Sequence, residues 1–280
     1  MNFFKASSFG NDFLAVDGEG IAPGTDPGEL ARRICDPHEG VGADGVVFHE
    51  PARPAVPGKT GPGGLSARFE ICNRDGGRAE LSGNGMAALA AVLLRRRAIG
   101  SYLALSTGIG RRRVRLLERR GPRFHFDVEI GRPDFADRAF FPFLEKEQRS
   151  YRAAGAVFHP VSVGNPHAVV LCRSLGASAR LEALGKKLES HPMFPKRVNV
   201  EFVERTAPGM CRAFFYERGV GPTRASSTGS AAVFAVLRRL GMAGDQLQIE
   251  HEPEPIRLRW QGGIQVEIVT RLICKGQYFG

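Results

Sequence analysis

The stretch S-G-N-G-M-A-A-L-A-A-V-L-L-R (residues 82–95) returns in the second half of the chain as S-S-T-G-S-A-A-V-F-A-V-L-R-R (residues 226–239). Laid over each other without a gap, eight of the fourteen positions are identical, and the same register pairs Arg68 with Arg212, Arg74 with Arg218 and Gly77 with Gly221. A self-match at half the chain length marks two copies of one unit. Each copy reads as a strand, a tight turn, and a helix whose first turn is small and polar. Two such helix N-termini facing each other would make an anion site with a serine hydroxyl on either side, because first-turn amides and the helix dipole both favour negative charge.

The chain around the repeats has 280 residues, 42% of them hydrophobic, which suffices for two domains with cores of their own. No apolar run approaches the roughly 18 residues of a membrane span, and the opening M-N-F-F-K-A-S-S-F-G lacks the long apolar core of a signal peptide. Five scattered cysteines without a C-x-x-C pair argue against a disulfide framework and a zinc ribbon, and point to a reducing, cytoplasmic setting. A net charge of +10 brings nucleic acid into consideration. Arg95, Arg96 and Arg97 end the first repeat helix, where cations suit the dipole. Arg111, Arg112, Arg113, Arg115, Arg119, Arg120 and Arg123 fall on a hairpin, V-R-L-L before the turn E-R-R-G-P-R and F-H-F-D-V-E-I after it. With sparse aromatics beside them and no helix-turn-helix or zinc-finger spacing, they read first as a solvated face and only second as a nucleic-acid surface.

Periodicity predicts strands over 13–18, 46–49 and 67–73 and a proline-opened helix over 27–34, with a loop over 51–64 that holds four prolines and four glycines. The second half rebuilds the plan, with strands over 158–163, 168–172, 198–203 and 211–217, a helix over 181–189, and short closing strands over 247–250, 256–260 and 264–269. One repeat helix per half amid many strands gives two α+β domains around a cleft. The division falls at 131/132, giving 1–131 and 132–280, with the last strand free to return to the first domain.

Asparagines beside glycine recur at strand ends, in G-N-D (Asn11), G-N-G (Asn84) and G-N-P-H (Asn165), while Asn73 and Asn199 end or interrupt apolar runs. Each alone is a turn residue that tolerates positive φ. Five around a repeated anion site suit a different task, since neutral amides offer donors and acceptors to an amino acid without fixing a net charge. Glu217 and Arg218, at the end of the second repeat strand, read as an exposed pair if taken alone. Beside a cleft, Arg218 could grip a carboxylate bidentately and Glu217 an ammonium group.

Six motifs now stand in order: G-N-D-F, G-V-G-A-D-G, N-R-D-G-G-R-A-E-L-S-G-N-G, G-N-P-H, F-P-K-R-V-N-V and Y-E-R-G-V-G-P-T-R-A-S-S-T-G-S. Together they resemble the diaminopimelate epimerase family, within the wider group of proline racemases and phenazine-pathway isomerases. The resemblance, over about residues 1–270, implies an α+β fold of two pseudo-symmetric domains, each a curved, mostly antiparallel sheet around a central helix, with the ligand cleft between them. It implies cofactor-independent inversion at the α-carbon of a small amino acid or related carboxylate, as in lysine biosynthesis, with no metal, nicotinamide, flavin or pyridoxal group. By the motif match the carboxylate would meet backbone amides near Gly83, Asn84, Ser227 and Thr228, and the remaining substrate contacts would fall to Asn11, Asn73, Asn165, Asn199, Glu217 and Arg218. Whether a second copy of the chain pairs with this one is left open.

The resemblance also implies a cysteine on each face of the α-carbon, one removing the proton and one returning it. Ser82 and Ser226 stand at those two positions. Ser227 replaces a glycine, Pro222 stands in G-P-T where G-E-T is usual, and the arginine usual after G-N-G is missing from M-A-A-L. No cysteine of this chain falls at a catalytic position, and strand alternation turns Cys72 away from the face used by Asn73. A thiol ionises near pH 8.5 and lower at a helix N-terminus, whereas an alkanol ionises many units higher at about 1.36 kcal/mol per unit. The roughly 0.3–2 kcal/mol of a helix dipole does not close that gap. A serine base therefore needs a base of its own, and His167, Asp75 and Glu217 are the candidates. The expectation is an isomerase with Ser82 and Ser226 at the acid/base positions, against two alternatives: a paralogue that binds an amino acid without turnover, and a nucleic-acid binder using the arginine hairpin.

Overall fold

The computed structural model describes residues 1–50, 53–54, 65–95, 102–146 and 148–280. Most of the expected 51–64 loop, together with Arg96 and Arg97, lies outside the described residues. The chain divides into two compact units, Met1–Glu129 with Glu267–Gly280, and Ile130–Val266.

The first unit runs β1 (Asn2–Ser8), β2 (Asn11–Asp17), α1 (Pro27–Ile34), β3 (Gly45–His49), β4 (Arg53–Pro54), β5 (Leu65–Asn73), β6 (Arg78–Ala79), α2 (Gly83–Arg95), β7 (Tyr102–Thr107), β8 (Gly110–Arg120) and β9 (Arg123–Gly131). The second runs β10 (Tyr151–Ala153), β11 (Ala156–Ser162), β12 (Pro166–Cys172), α3 (Ser178–Glu189), β13 (Asn199–Ala207), β14 (Met210–Glu217), β15 (Gly221–Thr223), α4 (Ser227–Arg239), β16 (Gln246–Ile249) and β17 (Ile256–Trp260), and β18 (Ile264–Gln277) starts in the second unit and continues into the first.

The pairing pattern exposes the duplication far beyond the repeated helix. In the first unit β1 and β2 are antiparallel, β2 and β3 parallel, β3 and β5 antiparallel, β5 and β7 parallel, and β7, β8 and β9 successively antiparallel. The series β11, β12, β13, β14, β16, β17, β18 repeats that succession of directions without an exception. A parallel neighbour needs a crossover connection, and in both units a helix makes it: α1 and α2 in the first, α3 and α4 in the second. The first ring closes through β18, which pairs with β9 and runs antiparallel to β1 from Ser8 opposite Thr270 to Asn2 opposite Gln277. Eight strands thus surround α2.

Both repeat helices are apolar on every side, as a helix enclosed by sheet must be. α2 is buried from Gly83 to Leu94 and packs on β1, β2, β3 and β8; α4 is buried from Ser227 to Leu237 and packs on β11, β12, β13 and β17. The crossover α1 is amphipathic instead. Asp26 caps it by accepting the Glu29 N–H at 2.7 Å, Pro27 opens it, Arg32 and Arg33 end it, and Leu30, Ala31 and Ile34 face Leu14, Val16 and Val46. In the second unit Phe141, Phe143, Tyr151, Phe158 and Phe194 form an aromatic core, with the Phe158 and Phe194 rings 5.2 Å apart.

The fold is the expected α+β one, with two local differences. The crossover helices expected over 27–34 and 181–189 are present as α1 and α3. The strands β1, β4, β6, β7, β10 and β15 were not anticipated, β4 falling inside the expected 51–64 loop, and β18 runs to Gln277 instead of ending near 269. The segment R-L-I-C-K-G-Q, largely exposed, carries no clean alternation; pairing with β1 orders it.

Candidate functional site

Ser82 and Ser226 take the same local geometry, both as helix N-caps. The Ser82 hydroxyl accepts the Gly85 N–H at 3.0 Å, and the Ser226 hydroxyl accepts the Gly229 N–H at 3.1 Å. Their carbonyls open the helical bonding by accepting from Met86 at 2.9 Å and Ser230 at 2.8 Å. Serine is among the best residues for this position, because its oxygen satisfies an amide that the helix leaves without a partner. Gly83, Asn84, Ser227 and Thr228 are buried in the two first turns, where the dipole favours an anion.

Beyond the caps the two serines differ. Among the described residues Ser82 has only its cap bond. Ser226 is 3% exposed and lies close to the Glu217 carboxyl, which accepts a bond from the Thr223 hydroxyl at 2.7 Å. Withdrawal from water pushes Glu217 up to about 7; the hydrogen bond from Thr223 opposes the shift, the buried Glu201 adds to it, and His167 and Ser226 oppose it. A carboxyl that titrates near neutrality beside a hydroxyl is poised to exchange a proton with it.

A second buried chain approaches Ser226 from β12 and β13. His167, fully buried, sets Nδ1 2.7 Å from Glu201 Oε1 and Nε2 2.8 Å from Asn165 Oδ1. Asn165 Nδ2 donates to Thr228 Oγ1 over a long 3.5 Å, and Thr228 Oγ1 lies 3.5 Å from Ser226 Oγ. Of the three expected partners for a serine, Glu217 is the one beside Ser226, with its own hydrogen bond coming from Thr223. His167 engages Glu201 and Asn165 instead, and Asp75 accepts the Gly77 N–H at 2.8 Å within its own turn.

The remaining predicted contacts divide by task. Asn199 ties two loops together, donating to the Pro166 carbonyl at 2.8 Å and accepting the Arg218 N–H at 3.0 Å, so one donor and one lone pair remain on its amide. Arg218 also donates to the Lys196 carbonyl at 3.1 Å. Asn11 stands opposite Ser8 across the first hairpin, and the Ser8 hydroxyl donates to the Asn84 carbonyl at 3.5 Å, which brings the Asn11 strand end to the start of α2. The partly buried Asn73 ends β5 opposite Gly45, its backbone N–H donates to the Gly77 carbonyl at 2.8 Å, and among the described residues nothing bonds its side-chain amide. Sequence reading passed over Glu201 and Thr223. Strand alternation carried a signal for Glu201, since it shares a strand face with Asn199 two residues before it.

The three buried cysteines are poor nucleophiles. Burial pushes Cys72 up to about 11 and Cys35 and Cys211 up to about 12. On the arginine hairpin, Arg113 pairs with Glu129 at 3.0 Å, Arg115 with Asp127 at 3.1 Å and Arg120 with Glu118 at 2.6 Å, while Arg119 stacks over Phe124. No helix among the described residues is long and apolar enough to cross a membrane.

Glu217 also makes stability depend on pH, with a sign opposite to that of most carboxyls. Its folded value of about 7 exceeds the ordinary 4.5, so between those pH values the folded chain binds more protons than the unfolded one. The group's contribution to stability is then greatest below the lower value and falls as pH rises through the window. Glu217→Gln removes the titration, so the variant's melting temperature relative to the parent rises on going from pH 5 to pH 8. A difference independent of pH would contradict the assignment.

Comparison with known proteins agrees with this architecture. The diaminopimelate epimerase family profile matches residues 3–135 and 160–270. A diaminopimelate epimerase of Carboxydothermus hydrogenoformans is 32% identical over 289 aligned positions that span 100% of both chains. Another, of Desulforudis audaxviator, is 38% identical over 245 positions, 83% of this chain and 82% of that one. Among solved structures, a hydroxyproline epimerase from Agrobacterium vitis with bound trans-4-hydroxy-L-proline superposes with a TM-score of 0.68 at 19% identity, covering 100% of this chain and 91% of that one. The duplicated ring around a buried helix and the match along nearly the whole sequence lead to one assignment: the chain belongs to the diaminopimelate epimerase family, a family of amino-acid racemase- and epimerase-type isomerases.

Proposed function

We propose that this protein is a cofactor-independent isomerase acting at the α-carbon of a small amino acid or related carboxylate, with Ser82 and Ser226 at the acid/base positions and Glu217 as the group that makes Ser226 basic. The observation that supports the reading is a carboxyl pushed up to about 7 beside the buried Ser226 hydroxyl. As the ionised Glu217 takes the Ser226 hydroxyl proton, Ser226 Oγ takes the α-proton; the electron pair left at the α-carbon spreads onto the substrate carboxylate. First-turn amides near Gly83, Asn84, Ser227 and Thr228 stabilise that charge. Ser82 supplies the proton that completes inversion, and the amides of Asn11, Asn73, Asn165 and Asn199 with Arg218 hold the rest of the ligand. Glu217 serves here as the proton acceptor rather than as the ammonium contact.

One observation favours a second reading, a paralogue that binds without turnover. Both serines are complete helix caps, a structural task worth roughly 0.5–2 kcal/mol each that requires no chemistry. The nucleic-acid reading is weaker, because carboxylates of the hairpin already pair three of its guanidiniums.

The test is α-proton exchange in D₂O with LL- and meso-diaminopimelate and a panel of L-amino acids, followed by mass spectrometry. Protein-dependent deuterium incorporation with at least one compound is the expected result. No incorporation across the panel, with one compound raising the melting temperature, leaves the binding-only reading.

A further inference from the structure

We propose that Asp44 is a positioning residue: it ties together the two strand ends that carry Asn11 and Asn73, and so aims their side-chain amides, doing in the first unit what Asn199 does in the second. The inference rests on the ligand-holding roles given above to Asn11 and Asn73.

The duplication supplies the equivalences. Strand pairing sets Gly45 opposite Phe13 on one side and Asn73 on the other. Asn199 holds the same place in the second unit, opposite His167 at the start of β13, with its neighbour Val200 opposite Tyr216. Asp12 therefore corresponds to Pro166, and Arg74 to Arg218. In the second unit the Asn199 side chain bridges those two residues, donating to the Pro166 carbonyl at 2.8 Å and accepting the Arg218 N–H at 3.0 Å. The first unit has no side chain at that place. A Cβ on Gly45 would come within 2.9 Å of the Cys72 carbonyl oxygen and 3.2 Å of the Phe13 ring, which leaves no room for one.

Asp44, one residue earlier, makes the bridge instead. Its carboxylate Oδ2 accepts the Asp12 N–H at 2.8 Å, its own N–H donates to the Asp12 carbonyl at 2.9 Å, and its carbonyl accepts the Arg74 N–H at 3.0 Å. These bonds fall on the residues that directly follow Asn11 and Asn73 in the chain, so they fix the peptide planes from which both asparagines project. Lys5 braces the bridge, donating to the Gly42 carbonyl at 2.6 Å and pairing with Asp12 Oδ2 at 3.2 Å. Burial pushes the Asp44 carboxyl up; the bond from the Asp12 N–H opposes the shift, the Asp12 carboxylate adds to it, and Arg74 and Lys5 oppose it. The half-buried carboxylate is thus held at a desolvation cost, and the bond to Asp12 is what it gains there. That bond is also the one link of the bridge that a side-chain substitution removes.

Asp44→Ala removes the acceptor, and Asp44→Asn keeps one. In nitrogen-15 NMR the side-chain amide signals of Asn11 and Asn73 are expected to shift and broaden in Asp44→Ala and to return close to their parental positions in Asp44→Asn. KM for α-proton exchange with meso-diaminopimelate rises about tenfold in Asp44→Ala, the loss expected when an N–H is left unbonded. The kcat stays within about twofold, the pattern of lost uniform binding. A merely structural role lowers the folded fraction, and with it kcat, and leaves KM alone. Unmoved signals for both asparagines in a folded Asp44→Ala would overturn the inference whatever happens to activity, and so would a KM that does not rise in a protein whose parent is active. Should the parent show no exchange while the signals move and Asp44→Asn restores them, the positioning role stands and the isomerase reading falls. If Asp44→Ala does not fold, Asp44→Glu takes its place. It keeps the charge and an acceptor but displaces the oxygen by one methylene, and unmoved asparagine signals in it sink the proposal.

Discussion

Ser226→Ala lowers α-proton exchange by roughly 10²–10⁴-fold, the span expected when a general base is removed, while the fold survives. Glu217→Gln follows closely, because serine without its carboxyl partner is left many units too weak a base at neutral pH. In the parent, exchange falls as pH drops below about 7, where Glu217 takes up its proton. Thiols in both cap positions act in the other direction. Ser82→Cys with Ser226→Cys places groups of pKa near 8.5 or lower at two helix N-termini, and exchange rises above the parent. Exchange rates from deuterium incorporation over pH 5 to 9 check all of these. A Ser226→Ala variant as active as the parent would remove Ser226 from the chemistry and leave it a helix cap.

Phe158→Ala carries the largest stability effect. Its ring is fully buried, with ring centroids 5.2 Å from Phe194 and 6.1 Å from both Phe143 and Tyr151. Truncation removes the transfer energy of a whole ring and leaves a cavity that several rigid aromatics cannot close, a loss of about 3–5 kcal/mol. Against a total stability of roughly 5–15 kcal/mol, that consumes a large share. Urea denaturation of parent and variant measures it, and a difference below about 1 kcal/mol would mean that the surrounding rings repack.

Much of the site was legible because its signals are local. The small, polar first turns of α2 and α4 announce helix N-termini, and Ser82 and Ser226 announce the caps. The asparagines sit where turns and strand ends demand residues that bond their own backbone. What stayed hidden was which groups share a bond. Glu217 read as an exposed neighbour of Arg218, yet its half-buried carboxyl accepts from Thr223 and lies beside Ser226. His167 read as a base approaching Ser226, yet both its nitrogens are taken by Glu201 and Asn165. Asn199 read as a ligand contact, and its amide already spans Pro166 and Arg218.

The amino-acid sequence by itself determined the duplication, the two repeat helices with their serine caps, and the apolar helix faces that require an enclosing sheet. These follow from periodicity and from backbone bonding over a few residues. Only the tertiary structure decided that β18 closes the first ring onto β1, that Glu217 titrates near neutrality, and that a buried carboxyl on β13 reaches Ser226 through three side chains. Strand pairing across most of the chain depends on which edges remain open after the other strands have paired. A carboxyl's pKa depends on the water and charges left around it once distant segments have packed, and neither quantity is a property of the residues adjacent to it in sequence.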